Sequence, residues 1–227
     1  VIASTFSDGS RGGVGVLPTE SGYGFVTPLE SKMGIERILR IKGFTGCKKP
    51  LSLLCPTLSA IETYCYGIDK RAFKLLKSNL PGPYTFVLPA TTALPKMMFL
   101  DKKGGKHAWS RKTLGVRMSQ DPVLRYVQDE LLDGMPLLVS SISTTDDDED
   151  GYYQADDEDE KEAATNYENF YQGQQAQLQQ CSIDPDESWC NQVDFVINAG
   201  ERPMDGSTIY DLTGGETRLL REGLGDL

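Results

Sequence analysis

Residues 112–141 read KTLGVRMSQDPVLRYVQDELLDGMPLLVSS, and they decide the fold class because they place a strand, a helix and a second strand in succession. TLGVRMS (113–119) and PLLVSS (136–141) each predict a strand. Between them, residues 121–134 predict a helix that begins with an Asp-Pro pair and ends at Gly134. This alternation of strand and helix is typical of an α/β domain.

The same alternation extends over most of the chain. The valine-rich residues 12–19 predict a buried strand, and residues 69–79 predict an amphipathic helix with Phe73, Leu75 and Leu76 facing inward. Further strands are predicted at 50–55, 81–90, 193–200, 207–213 and 217–223, and further helices at 30–42 and 57–65. The sequence therefore predicts a twisted mixed β-sheet with helices packed against it.

Charge is distributed unevenly along the chain. The formal net charge is −10, and residues 146–162 account for all of it with eleven acids and one lysine. Residues 1–113 carry 17 Lys and Arg against 7 Asp and Glu, a net of +10. A basic region of this kind is typical of proteins that bind phosphates or nucleic acid, although solvated helix faces give the same pattern.

Residues 144–190 interrupt the alternation of strands and helices. They are acidic and then rich in Gln, Tyr and Asn, so they bury too little apolar surface to offset the entropy of ordering. We therefore predict that residues 1–143 and 191–227 form a single discontinuous domain, and that 144–190 are an acidic, largely disordered insertion. One hypothesis is that this insertion competes with anionic ligands for the basic surface, and the alternative is a solvated loop.

Composition excludes several classes of protein. No apolar run approaches the ~20 residues of a membrane-spanning helix, so no membrane association is expected. The five cysteines contain no CxxC pair, which argues against a zinc ribbon, and Cys55 and Cys65 are expected to be buried apolar side chains. A single histidine, His107, makes Ser-His-Asp hydrolysis improbable. Because the chain begins at Val1, a removed leader leaves the compartment undecided between cytoplasm and organelle.

Four stretches place small or polar residues at strand ends: 17–24, 42–50, 81–86 and 137–143. Taken singly, each is consistent with ordinary turn chemistry. None is a Walker loop, since GFTGCKKP lacks the GK[ST] ending, and no G-x-G-x-x-G follows a strand.

Taken together and in order, these motifs resemble the YrdC-like family, and within it most closely the YciO-type branch. The resemblance covers the chain outside 144–190. It rests on five motifs. A PTDSGY-like strand end stands at Pro18–Tyr23, a KPxSLLC strand at Lys49–Cys55 and a PGPYTF turn at Pro81–Phe86. A KTxGxR strand stands at Lys112–Arg117 and a STxxDLT…REGxGD tail at Ser207–Asp226.

The resemblance implies a twisted mixed sheet with helices around a concave basic cleft. It also implies a reaction that joins L-threonine, bicarbonate and ATP with the assistance of Mg²⁺. In that reaction the threonine amine becomes a carbamate, which attacks the α-phosphate and expels pyrophosphate to give threonylcarbamoyl-AMP for tRNA modification. Such chemistry depends on positioning and on cations that stabilise a polyphosphate.

The resemblance also assigns roles to individual residues. Those expected to act in catalysis are Lys42, Arg117 and Ser141. Those expected to bind the nucleotide are Lys42, Lys49, Ser140, Ser141, Ser207 and Arg221, and those expected to bind threonine are Thr19, Tyr23, Thr85 and Arg117.

The chain departs from the family pattern at two positions. Where the family has Lys-x-Arg this chain has Lys42-Gly43-Phe44, and Ser143 replaces the asparagine of Ser-Thr-Ser-Ala-Asn. The first change removes a rigid fork of donors and the second removes an amide. The alternative function is therefore a nucleotide- or double-stranded-RNA-binding protein with weak or no catalysis, and RNA or tRNA is a further expected partner.

Overall fold

The structure is a computed structural model, and it describes residues 2–7, 12–43, 51–95, 113–142 and 180–226. The helices are α1 (Ile2–Ser7), α2 (Lys32–Ile41), α3 (Leu58–Tyr64), α4 (Lys70–Asn79) and α5 (Pro122–Tyr126), which continues as a π-helical segment, Val127–Leu131; a 3₁₀ turn spans Cys190–Gln192. The strands are β1 (Gly15–Thr19), β2 (Gly22–Pro28), β3 (Ser52–Leu54), β4 (Tyr84–Pro89), β5 (Thr113–Arg117), β6 (Leu137–Ser141), β7 (Gln180–Cys181), β8 (Phe195–Val196), β9 (Arg202–Pro203), β10 (Thr208–Asp211) and β11 (Arg218–Arg221).

Nine of the described strands form one mixed sheet in the order β11-β10-β4-β5-β3-β6-β2-β1-β8. The pairs β1–β8, β3–β5 and β4–β10 are parallel, and β1–β2, β2–β6 and β4–β5 are antiparallel. Strands β7 and β9 form a separate antiparallel pair. The predicted fold class, a twisted mixed sheet flanked by helices, is confirmed.

Apolar side chains cover the two faces of the sheet unequally. On the first face, alternate residues of six strands pack with α2, α3 and α4 in the larger core, which includes Phe25, Leu53, Phe86, Val116 and Leu138. On the second face, a smaller cluster forms under α5, where Leu124 and Val127 meet strand residues that include Leu17, Val26, Leu54, Leu137 and Val139. The apolar cover of the second face therefore centres on β1, β2 and β6.

Local sequence signals set most helix starts as predicted. Thr57, Asp69 and Asp121 cap α3, α4 and α5 by accepting hydrogen bonds from backbone N–H groups of the first turn. The prediction that Phe73 faces inward is wrong, because this side chain is 38% exposed while Leu76 of the same helix is buried. The helix predicted at 121–134 is present, but its second half is π-helical, with Gln128 buried and donating to the carbonyl of Leu54.

Three of the described strands, β2, β7 and β9, were not predicted. Strand β2 is buried along its whole length, so it lacks the polar alternation that identifies a half-exposed strand. Residues 180–190 were assigned to the insertion, yet β7 pairs with β9 and the Trp189 ring packs edge-on against Phe25 at 5.2 Å. The folded part therefore resumes before residue 191. The rest of the predicted insertion, residues 144–179, lies outside the described residues, and so does Ser143 just before it.

Cys55 and Cys65 are buried beside each other in the larger core, as predicted. Burial raises the pKa of the Cys65 thiol to about 12, and burial together with the nearby Cys65 raises the pKa of Cys55 as well. Both thiols therefore stay protonated at neutral pH. Within the described residues, no helix has the length and apolar character needed to cross a bilayer.

Candidate functional site

On the second face of the sheet, the apolar cluster gives way to small and polar side chains on three adjacent strands. We define the polar strip as Ser52 of β3, Gly115 and Arg117 of β5, and Thr85 of β4. A Cβ placed on Gly115 would lie 3.1 Å from Ser52 Oγ and 3.2 Å from Thr85 Cγ2, so these positions are immediate neighbours. The pairing of Phe86 with Val116 places Thr85 opposite Arg117, one step further along the two strands.

Arg117 lies at the centre of a buried polar cluster. Its Nη2 donates to Glu20 Oε1 at 3.0 Å and to Ser21 Oγ at 2.9 Å, and the Arg117 and Glu20 side chains are 5% and 6% exposed. Ser119 Oγ donates to the other oxygen of Glu20. Thr19 shapes the turn that carries Glu20, since its Oγ1 accepts from Ser21 N at 3.2 Å and donates to Gly22 O at 3.1 Å.

The contact between Arg117 and Glu20 shows that the sheet curls toward this face. Glu20 lies in the turn between β1 and β2, and three strands separate β1 from β5. In a flat sheet four strand spacings amount to about 19 Å. Side chains that meet at 3.0 Å across this separation require a concave surface, and the polar strip lines part of it.

A second group of predicted site residues meets at the beginning of β4. Thr85 Oγ1 and Ser207 Oγ are 2.7 Å apart, and both residues are buried. Arg221 Nη2 donates to the Ser207 carbonyl at 2.8 Å. Gly206 is favoured here, because its φ of +71° is left-handed, a backbone conformation that residues with a side chain rarely adopt.

Lys42 and Ser141 form a third group, at the ends of α2 and β6. Lys42 Nζ donates to the Ser141 carbonyl at 2.8 Å, and Ser141 is exposed opposite Gly24 of β2. Ser140 precedes Ser141 in a strand, so its side chain projects to the opposite face of the sheet. Lys49, predicted to bind the nucleotide, lies outside the described residues.

Tyr23, predicted to line the threonine pocket, belongs to the opposite face. Its ring is 3% exposed in the larger core, and its hydroxyl donates to the Gly200 carbonyl at 2.6 Å and accepts from Ala199 N at 3.0 Å. The structure therefore places Tyr23 apart from the polar strip, where it anchors the segment that begins at Asn198.

Four polar residues of this region were not predicted from the sequence as site residues: Glu20, Ser119, Asp121 and Arg202. Arg202 Nη2 and Asp121 Oδ2 form an ion pair at 3.2 Å. The backbone N–H of Asp121 donates to Ser119 Oγ at 3.1 Å. Glu20 and Arg117 are 97 residues apart, so no local pattern reveals that they meet.

These features define a protein with an open α/β sheet whose concave face carries buried arginine and hydroxyl groups. A protein-family model described as "Telomere recombination", for Sua5, YciO and YrdC, matches residues 9–166. The chain is 30% identical over 220 residues to "Uncharacterized protein YciO" of Escherichia coli strain K12, covering 96% of this chain and 86% of that protein. The chain belongs to the Sua5/YciO/YrdC family.

Solved structures agree with this assignment. The crystal structure of E. coli YciO matches with a TM-score of 0.68 at 30% identity, covering 99% of this chain and 90% of that chain. P. abyssi Sua5 in complex with L-threonine matches with a TM-score of 0.62 at 23% identity, covering 98% of this chain and 54% of that chain, which shows a shared fold. The threonylcarbamoyl-AMP synthase of Halorhodospira halophila is 29% identical over 113 residues, 50% of this chain and 54% of that protein.

Proposed function

We propose that this protein is an L-threonylcarbamoyladenylate synthase that supplies threonylcarbamoyl-AMP for tRNA modification. The observation that carries the proposal is that residues which the family motifs single out form three contact groups. Arg117 donates to Ser21, whose backbone N–H donates to Thr19. Thr85 bonds Ser207, whose carbonyl accepts from Arg221, and Lys42 donates to the Ser141 carbonyl. The synthases among its relatives support the proposal.

The proposed reaction consumes L-threonine, bicarbonate and ATP. The threonine nitrogen attacks the bicarbonate carbon and water leaves, which gives a carbamate. A carbamate oxygen then attacks the α-phosphorus of ATP, and the bond to the β-phosphate oxygen breaks to release pyrophosphate. Neither step requires a covalent enzyme intermediate, so the protein acts by orienting the reactants and by placing N–H and O–H donors on developing charge.

Lys42 is the residue best placed to meet a phosphate near the exposed end of β6. Its ammonium group lies 2.8 Å from the Ser141 carbonyl, at the end of that strand. Among the described residues, no cluster of three His, Cys, Asp or Glu side chains forms a metal site. The proposed reaction uses Mg²⁺ that is carried by ATP and held mainly by phosphate oxygens and water.

Pyrophosphate release in the presence of ATP, Mg²⁺, L-threonine and bicarbonate tests the proposal. Wild-type protein should release pyrophosphate only when L-threonine and bicarbonate are both present, and Lys42→Ala should lower the rate by roughly 10²-fold because one donor to developing charge is lost. Lys32→Ala is the matched control, since Lys32 is exposed at the other end of α2, and it should leave the rate unchanged. A wild-type rate that is independent of L-threonine would contradict the proposal.

RNA binding without catalysis is a second candidate. The exposed face of α4 carries Lys70, Arg71, Lys74 and Lys77, which supports contact with phosphates. This alternative is favoured if wild-type protein releases no pyrophosphate and binds double-stranded RNA without ATP, with an affinity that falls steeply as salt increases.

A further inference from the structure

The carboxylate of Glu20 is held from two sides. Its Oε1 accepts from Arg117 Nη2 at 3.0 Å, and its Oε2 accepts from Ser119 Oγ. Ser119 is only 1% exposed, so water does not compete for its hydroxyl, and a hydrogen bond in such surroundings is strong. Because both oxygens are occupied by side chains, the carboxylate has one preferred orientation, and Oε1 faces Arg117 in a fixed direction.

Ser119 is itself fixed to the beginning of α5. Its Oγ accepts from the backbone N–H of Asp121 at 3.1 Å. Asp121 caps the helix, because its Oδ1 accepts from Val123 N at 2.9 Å and from Leu124 N at 3.1 Å. Leu124 is fully buried in the apolar cluster under α5. The position of the Ser119 hydroxyl is therefore set by a helix that packing holds against the sheet.

Arg117 depends on this support because its hydrogen bonds start from one nitrogen. In the part of the chain that the structure describes, Nη2 donates to Glu20 and to Ser21, while the buried Nε has no partner. A guanidinium group that is held at one nitrogen keeps its direction only as long as the acceptor stays in place. The acceptor with a second support is Glu20, and that support is Ser119.

We propose that Ser119 is a positioning residue, which acts through Glu20 to hold the Arg117 guanidinium group in the direction that the reaction requires. The inference rests on the proposed function, in which Arg117 is the residue that meets the substrate. Ser119 lies outside the five motifs and contacts Glu20 rather than the reacting atoms. Because catalysis that depends on orientation is sensitive to small displacements, the loss of a hydroxyl at this distance lowers the rate.

Steady-state pyrophosphate release by the full chain tests the role of Ser119. Ser119→Ala removes the hydroxyl and adds no atoms, so it should raise the KM for L-threonine about tenfold, the effect of one hydrogen bond to a charged group. The KM for ATP should stay unchanged. Ser119→Thr keeps the hydroxyl and should hold the KM for L-threonine closer to the wild-type value than Ser119→Ala does.

The double variant Ser119→Ala with Glu20→Gln tests whether Ser119 acts through Glu20. An amide has one oxygen that accepts and one nitrogen that donates, so Glu20→Gln already interrupts the contacts from Ser119 to Arg117. Adding Ser119→Ala to Glu20→Gln should then change the KM for L-threonine by less than about twofold, since residues that act as a unit are not additive. Effects that multiply would overturn the inference, because Ser119 would then act independently of Glu20.

Ser31→Ala is the matched control, since it removes another buried serine hydroxyl that accepts from a backbone N–H at a helix start. Ser31 Oγ accepts from Gly34 N at 3.1 Å at the beginning of α2. This variant should lower the temperature of thermal unfolding and leave the KM for L-threonine unchanged. If it raises the KM as much as Ser119→Ala does, the effect is a general loss of stability and the inference is wrong.

A measurement without substrates separates this inference from the proposed function. The Nε–H resonance of Arg117 in a ¹⁵N–¹H correlation spectrum, assigned by its absence in Arg117→Lys, reports on the guanidinium group. Ser119→Ala should shift this resonance and speed its exchange with water, and Ser31→Ala should leave it unchanged.

The outcomes are distinct. If the resonance responds to Ser119→Ala and wild-type protein releases no pyrophosphate, Ser119 positions Arg117 and the synthase proposal fails. If pyrophosphate is released and only one of the resonance and the KM responds, or neither does, the inference fails and the synthase proposal stands. If there is no release and no response of the resonance, both fail.

Discussion

Two halves of the same sheet face differ in what holds them together. Under α5, the face is apolar and is covered by Leu124 and Val127. In the polar strip, the face consists of small residues and of a charged residue that is buried by pairing with Glu20. The boundary runs through a single strand, because Leu54 is fully buried and Ser52, two residues earlier and on the same side of β3, is only partly buried.

This comparison shows how one sheet combines stability with a binding surface. The apolar half is stabilised by the hydrophobic effect, that is, by the removal of apolar side chains from water. This effect is non-directional, and a surface that depends on it contains few polar groups. The polar half is stabilised only as long as each buried charge keeps its partner. Ligand binding therefore becomes possible on the half where donors and acceptors are already fixed in place by one another.

The largest expected effect follows from removing one partner of the buried ion pair. Arg117→Ala leaves the Glu20 carboxylate buried without its cation, and we expect the free energy of unfolding to fall by about 3–5 kcal/mol. Urea denaturation measures this loss. The double variant Arg117→Met with Glu20→Gln removes both charges and should recover most of the stability. A double variant as unstable as Arg117→Ala would show that the pair contributes packing and not charge compensation.

The next effect contrasts the two halves on β3. Leu54→Ala should lower the free energy of unfolding by about 2–5 kcal/mol, because it opens a cavity beneath α5. Ser52→Ala is the matched control on the same face of the same strand, and it should change stability by no more than about 0.5 kcal/mol. Urea denaturation of both variants checks the contrast. Comparable losses would mean that the apolar cluster extends into the polar strip.

The sequence predicted the fold better than the site, for a physical reason. Helix caps such as Thr57 and Asp121 act within one turn, so local patterns reveal them. The motifs also pointed to Arg117, Thr85 and Ser207, each at or near a strand end. What the sequence did not reveal were partners distant along the chain, such as Glu20 for Arg117, because that contact depends on how far the sheet curls. Tyr23 shows a second limit of the motifs, because its place in a motif did not predict which face of the sheet its side chain occupies.

The smallest effect concerns an exposed ion pair that can be compared with the buried one. Asp194 Oδ2 accepts from Val14 N at 2.8 Å and from Arg37 Nη1 at 2.7 Å, and its side chain is 37% exposed. Partial burial raises the pKa of Asp194, but the hydrogen bonds from Arg37 and Val14 outweigh it, so the pKa lies below its ordinary value. Solvent screening limits the contribution of such a pair to under about 1 kcal/mol.

The sign of the pH dependence follows from that lowered pKa. The stabilisation is fully present above the unfolded-state pKa of about 3.9 and is lost as the pH falls through the lower folded-state value. Urea denaturation at pH 7 and at about pH 3 should therefore show wild type more stable than Asp194→Asn at pH 7, with the difference shrinking in acid. Asp186→Asn, at an exposed residue of the same region, controls for the loss of one negative charge. A difference that grew as the pH fell would contradict the assignment, because it would require Asp194 to be stabilising in its protonated form.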